Sequence, residues 1–493
     1  MHEGDAQPAP RIVGRRLDGW HDPEAVFLAL FAAETVGDVA WLDDSAGEGW
    51  SYLAASACTV AEWPHGVFAG LAELLPAPTG ARAASADADS DPDGLPDGLA
   101  FRLGVVGWIP HDAWRETVPL HHAPPSAPAD AAGEVPAAAM RVDRLIAFDH
   151  RAGEVWAVAR PGDPWPESVG AELARVGATG TRPGTHPVPR AEDAADATPV
   201  WRHDDDAYLG LIRSCQESIR RGDAYQLCLT NSAEVPGEVD PVLVHLALRA
   251  LSPTHHGAFL RVGHTTLVSA SPERFVEVDA ARTLRTLPIK GTRPRHADPA
   301  ADARARAELL ASEKERAENV MIVDLMRNDL SRVCVLGSVR VTSLFAVEAY
   351  AQVHQLVSRV EGELAPGVTA VDAVRALFPA GSMTGAPKSA AVGILAALER
   401  GPRGVYAGAF GWFGDDGRVD LAMVIRSVVV TRGHATVGAG GGITALSVPR
   451  EELEEVRVKA APLLAAVRAA RVATSPGGAG GAGPSLPSAR HPA

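Results

Sequence analysis

Lys290 sits between a short β-type run, Thr286-Leu287-Pro288-Ile289, and the turn Gly291-Thr292. A lysine placed there can aim a primary amine into a site, and an ammonium buried in such a site tends to shed its proton and become nucleophilic. Arg293 and Arg295 follow closely enough in sequence to help depress that amine. Read alone, a lysine beside a turn is more often a surface residue.

Carboxylates supply a second kind of chemistry. Glu315 and Glu318 stand three apart, Glu452 and Glu455 repeat that spacing, and Lys459 lies one turn further on. Residues three apart share a helix face. Two such faces turned toward each other would put four carboxylates around a hard cation such as Mg²⁺, which takes oxygen ligands and keeps waters. The other reading is two solvated acidic faces.

Several groups could hold an anion. Gly381-Ser-Met-Thr-Gly-Ala-Pro-Lys388 reads as a loop entering a helix. Pro387 suits the first helical position, and the free N–H groups there, with Thr384 and Lys388, favour negative charge. The cluster Gly438-Ala-Gly-Gly-Gly442 lets backbone approach a ligand closely, or simply makes a tight turn. Arg426 interrupts the apolar run Met423-Val-Ile-Arg-Ser-Val428 and reads as either a structural ion pair or a substrate clamp. His354, in Val353-His-Gln-Leu356, reads alone as a core histidine before a catalyst.

These groups need a scaffold, and 493 residues at 46% hydrophobic content can bury a large core. The formal charge of −15 makes nucleic acid and anionic membrane poor partners, so an anionic substrate would need a local positive environment. Cys58, Cys215, Cys228 and Cys334 show no metal-type or disulfide spacing, which fits a reducing cytoplasmic setting. The polar stretch from Met1 to Gly19 lacks the apolar segment of a secretory leader, and no apolar run is long enough to span a membrane.

Stretches 76–98, 120–139 and 177–199 have loop composition, and the Gly/Pro/Ser-rich tail from Ser475 is expected to be disordered. The expected division is an N-terminal region with flexible insertions (1–198), a catalytic region (199–473) and a tail (474–493). In the second region, helices are expected over 208–221, 302–330, 387–398 and 450–472. Strands are expected near 224–230, 257–262, 266–270, 339–342 and 353–360, with a strand pair 404–413 and 421–431 around the turn Gly414-Asp-Asp-Gly417. Hairpins followed by helices indicate an α+β protein with mostly antiparallel sheet.

Together these motifs resemble the chorismate-utilising enzyme family over about Asp204 to Val472. The matching motifs are Ser271-Pro-Glu-Arg-Phe275, Pro288-Ile-Lys-Gly-Thr292, Arg316-Ala-Glu-Asn319 with Asp324-Leu-Met-Arg-Asn-Asp329, Val353-His-Gln-Leu356, Gly381 to Lys388, Ile425-Arg426, Ala439-Gly-Gly-Gly-Ile443 and the Glu452/Glu455/Lys459 helix. The resemblance implies two packed, largely antiparallel β-sheets flanked by helices. It implies Mg²⁺ held by Glu318 and Glu455, with Glu315 and Glu452 acting through water, to grip the ring carboxylate of chorismate. Substrate contacts would come from Gln226, Gly291, Thr292, Thr384, Tyr406, Arg426, Gly440, Gly441, Gly442 and Lys459. Lys290, Glu273 and His354 would be catalytic, with Glu273 as general acid.

Family members that add water use a lysine on an early strand, and the matching position here is Gln226, a neutral amide. The resemblance therefore points to ammonia as the incoming group. Members that form anthranilate typically carry alanine where this chain has Lys290; the lysine favours 4-amino-4-deoxychorismate as product, with anthranilate as the alternative. No glutaminase signature surrounds any of the four cysteines, so the implied ammonia source is a separate glutamine amidotransferase subunit.

Overall fold

The computed structural model describes residues 12–56, 60–76, 94–120, 135–178, 198–350 and 353–471. Most of the three loop-like stretches, the tail and Cys58 lie outside the described residues. Two antiparallel sheets, of twelve and ten strands, form the body, which is the architecture the sequence implied. Strands from either side of residue 198 share both sheets. The strands Gly104–Ile109 and Ala137–Val142 pair within the ten-stranded sheet, and Asp38–Asp43 pairs with His256–Val262 in the twelve-stranded one.

Side-chain alternation shows how the layers stack. On the strand Asp38–Asp43, Val39 and Trp41 face a helical layer, while Ala40 faces the other sheet. Between the sheets lie Tyr52, Leu260 and Leu267 from one side and Trp108, Met140, Phe410 and Trp412 from the other. The helices Asp205–Arg220, Pro241–Leu251, Lys388–Glu399 and Pro449–Ala469 cover the outside of the twelve-stranded sheet. Glu313–Ser331 and Ala370–Leu377 cover the ten-stranded one. Among the described residues no helix is long and apolar enough to cross a membrane, and Cys215, Cys228 and Cys334 are free thiols.

Two departures from the sequence reading position the site. The expected helix 302–330 is two helices, Pro299–Ala311 and Glu313–Ser331. Ser312 is extended (φ −66°, ψ 110°), which ends the first helix, and its hydroxyl accepts the Glu315 N–H at 3.4 Å to start the second. The break puts Glu315 in the first turn of a new helix. The expected strand 421–431 is also two strands. Val419–Met423 closes a hairpin with Ala409–Gly414 in the ten-stranded sheet, whereas Ser427–Thr431 belongs to the twelve-stranded sheet. The chain crosses between sheets at Val424–Arg426, where Arg426 adopts φ +52°, a left-handed conformation that L-residues rarely tolerate.

The packing between the sheets can be tested directly. Phe410 is 2% exposed within that layer. Phe410→Ala should cost about 3–5 kcal/mol of stability, read as a lower denaturant midpoint; an unchanged midpoint would contradict this packing.

Candidate active site

A cavity of about 530 Å³ opens where the sheet-to-sheet crossing, the two glutamate helices and the glycine strand meet. It is lined by Glu273, Lys290, Gly291, Thr292, Glu315, Glu318, Tyr406, Arg426, Gly440, Gly441, Gly442, Glu452, Glu455 and Lys459. Residues spread over nearly two hundred positions of sequence thus share one wall system, and each arrives there for a local reason.

Lys290 lies on the strand Ile289–Pro294, which pairs with Val353–Glu363. The register slips between Lys290 and Thr292, leaving Gly291 as the extra residue at φ +77°. Bulges of this kind re-aim a side chain. An added Cβ at Gly291 would lie 2.9 Å from Glu315 Cδ, so glycine also lets the glutamate helix come close. Asn319, fully buried beside Glu318, donates from Nδ2 to the Pro288 carbonyl (3.4 Å) and accepts the Ser358 hydroxyl (2.5 Å). The helix carrying Glu318 is therefore tied to the chain two residues before Lys290. The Lys290 side-chain amine makes no hydrogen bond or salt bridge among the described residues.

The carboxylates occupy unequal environments. Burial pushes the Glu318 carboxyl above the ordinary glutamate value, and Glu315 and Glu452 push it the same way, against Lys290 and Lys314. Burial, with Glu455, also raises Glu452. Glu455 sits nearer the rim; burial pushes it up, but Lys459 at 2.5 Å, with Lys314 and Lys290, leaves it below the usual value. Lys459 also donates to the Gly440 carbonyl at 2.8 Å, pinning this helix to the glycine strand. Among the described residues no three acidic, imidazole or thiol groups form a ready-made ligand cluster. The donor set is all hard oxygen, and Glu318 and Glu452 press on each other, which suits a cation that keeps waters and takes few protein ligands.

Glu273 is 9% exposed, and burial pushes its carboxyl up, opposed by Lys290, the nearby Ser382 hydroxyl and Lys459. A carboxyl held this way keeps its proton at higher pH than an ordinary glutamate, as a proton donor must. Arg426 lines the cavity with no ion-pair partner among the described residues. Of the two readings open from its sequence, the clamp fits this placement. Burial lowers its pKa, offset by Tyr406 and Glu455.

The structure sets three predicted site residues apart from this group. His354 is buried, and its Nε2 hydrogen-bonds Asp302 at 3.0 Å away from the cavity lining. Thr384 is fully buried, its hydroxyl donating to the Ala380 carbonyl at 3.2 Å. Gln226 is 1% exposed behind the glycine strand, where a Cβ on Gly442 would lie 2.3 Å from its Nε2. Lys388 is not available to an anion either. It donates to Asp329 at 2.6 Å and to the Leu377 carbonyl at 2.7 Å, so the helix entry at Pro387 is braced by an internal ion pair. Arg295 is engaged by Asp302 at 3.0 Å, whereas Arg293 lines the cavity and pairs with Glu308 at 3.1 Å and Glu315 at 3.7 Å.

Cavity residues that sequence reasoning missed include Ser382, Lys314, Cys228 and Gln355. Ser382 and Gln355 lay inside motifs already singled out, but a serine in a loop and a glutamine in a strand carry no signal of their own.

Residues 37–465 match the family described as chorismate binding enzyme. The chain belongs to that family. It is 45% identical over 385 residues to an aminodeoxychorismate synthase of Streptomyces pristinaespiralis, covering 76% of this chain and 52% of that protein. It is 39% identical over 393 residues to anthranilate synthase component 1 of Streptomyces coelicolor, covering 77% and 75%. The chain thus spans about half the length of the aminodeoxychorismate synthase relatives from Streptomyces. Its fold matches the crystal structure of anthranilate synthase component I from Streptococcus pneumoniae with a TM-score of 0.69 at 26% identity, over 84% of this chain and 92% of that one.

Tyr406 gives a geometric test. An added Cβ at Gly438 would fall 2.1 Å from Tyr406 Cγ, so the ring packs directly on that glycine. Gly438→Ala should displace the ring and cost about 1–3 kcal/mol in denaturant unfolding; a neutral outcome would show that the wall yields without strain.

Proposed function

We propose that this chain catalyses amination of chorismate to 4-amino-4-deoxychorismate. The observation that carries this reading is the meeting of an amine without a protein partner, Lys290, with a proton-retaining carboxyl, Glu273, in a cavity walled by four glutamates and Arg426. Family membership supports the substrate, and the 45% identity to an aminodeoxychorismate synthase supports the product.

Arg426 and the N–H-rich glycine strand orient the dianion. Mg²⁺ held by Glu318 and Glu455, with Glu315 and Glu452 through water, would neutralise and grip a substrate carboxylate. Lys290, in its uncharged form, attacks C2 of the ring; the double bonds shift, and the C4 hydroxyl leaves as water with the proton of Glu273. Ammonia then adds at C4 and the double bonds return, expelling the lysine. Glu273 carboxylate accepts the proton released by the incoming nitrogen. Chorismate and ammonia enter, the aminated product and water leave, and one difficult displacement becomes two easier steps. The ammonia would come from a glutamine amidotransferase.

Anthranilate formation is the second reading, favoured by the 39% identity to an anthranilate synthase component 1 over three quarters of that protein. Mass analysis of the product from chorismate, Mg²⁺ and an ammonium salt separates the two. Aminodeoxychorismate without pyruvate supports the first, and anthranilate with pyruvate replaces it with the second.

Lys290→Ala should abolish the amination, and full retained activity would reject the covalent route. Glu273 must be protonated when the hydroxyl leaves, and its folded-state value is raised, so this contribution is present at low pH and lost as pH rises through that value. Glu273→Gln should remove that falling limb and cost about 10²–10⁴-fold in kcat. Glu318→Gln should move the Mg²⁺ titration of activity to higher concentration; an unchanged titration removes Glu318 from the metal scheme.

A further inference from the structure

Beneath the cavity floor lies an ion pair that no step above uses. Arg403 is 8% exposed and Glu399 3%. The arginine Nε donates to Glu399 Oε2 at 2.8 Å, and Nη2 donates to Glu399 Oε1 and to the Cys228 carbonyl, both at 2.7 Å. Nη1 donates to the Met383 carbonyl at 2.6 Å and faces His111 Nε2 at 3.3 Å. Guanidinium only donates, so His111 Nε2 is the acceptor there, and all five N–H groups of Arg403 have partners. Glu399 Oε1 in turn accepts both the amide and the hydroxyl of Thr230 at 2.9 Å.

The groups held this way belong to the site. Cys228 and Met383 line the cavity, and Thr230 pairs in register with Gly440. Met383 adjoins Ser382, which lines the cavity together with Glu273. A single fork thus fastens the strand Gln226–Pro236 to the loop that carries Ser382 into the cavity beside Glu273.

We propose that Arg403, with Glu399, is a positioning residue that clamps Cys228 to Met383 and thereby keeps Ser382 in reach of Glu273. It touches no substrate and acts through the loop. The inference rests on the role given to Glu273 above. Lysine cannot replace the fork, because an ammonium offers three donors from one point and leaves buried acceptors unmet.

The test uses the full chain carrying Arg403→Lys, checked for folding by its thermal transition. The loop serves proton transfer while Arg426 and the glycine strand serve binding, so kcat should fall about 10–100-fold with KM nearly unchanged. Ser382→Ala should reproduce that split, and the double variant should lose less than the product of the two single losses. Hydrogen exchange should quicken in segments 226–232 and 380–386 and stay unchanged in strand 256–262. Wild-type kcat in folded Arg403→Lys, a loss confined to KM, or multiplicative losses would overturn the proposal. If Arg403→Lys does not fold, Glu399→Gln is judged by the same criteria. A wild-type chain that turns over no chorismate rejects the functional reading instead. Exchange then decides the clamp alone, and unchanged or evenly raised exchange rejects it.

Discussion

Burying like charges together is the constraint on which this structure turns. Glu318 and Glu452 come from helices more than a hundred residues apart, and each is raised by burial and by neighbouring carboxylates. Removing such groups from water costs several kcal/mol each unless something repays it. The chain supplies Lys290, Lys314 and Lys459 around them, and an acidic protein thereby gains a local positive environment. Only a rigid frame can hold groups that would otherwise separate. Asn319 ties one helix to the Pro288 carbonyl, and Lys459 ties the other to Gly440.

That frame depends on a sheet switch. Had the chain continued from Val419 to Thr431 as one strand, Arg426 would stand in a ladder with its side chain directed by the pleat. Instead Val424–Arg426 passes between the sheets, and the left-handed conformation at Arg426 directs the guanidinium into the gap. A non-glycine residue held there costs of order 1–3 kcal/mol, and such strain survives only where the surroundings over-determine it. Here the two flanking strands are anchored in separate sheets by Ala409–Gly414 on one side and Thr265–Ser271 on the other.

What was legible in the sequence was the chemistry. Lys290, the glutamate pairs, Arg426 and the glycine cluster are unusual residue types at telling spacings, and the cavity gathers them all. The antiparallel pairing was legible too, because alternation and hairpin turns are local signals, while the packing of two sheets came from the family resemblance. The sheet switch was not, since Leu421 to Val430 is apolar apart from Arg426 and Ser427, and the buried strand residues on either side hide the change of partner. The break at Ser312 was masked by helix-forming residues on each side, and only the cap reveals it. Lys388 was misread because a helix entry rich in free N–H groups looks the same whether its lysine faces an anion or Asp329. Arg403 carried no sequence signal at all, because its meaning lies in carbonyls presented by residues 175 and 20 positions away.

Hydrogen-bond satisfaction is complete at two points of the frame. Arg403 has a partner for every donor, and Asn319 bonds through both ends of its amide. Two buried residues outside the cavity lining differ. Among the described residues, both amide atoms of buried Gln226 and Nδ1 of His354 have no partner. Leaving a buried polar group unmet costs about 1–3 kcal/mol, so such groups persist where selection acts on something besides stability. Neither residue lines the cavity in this arrangement, yet Gln226 presses on Gly442, which does. That amide therefore lies directly behind one residue of the cavity wall. Two residues on, Cys228 of the same strand is held by a fully bonded guanidinium, so one short segment carries both an unmet amide and a completely satisfied contact.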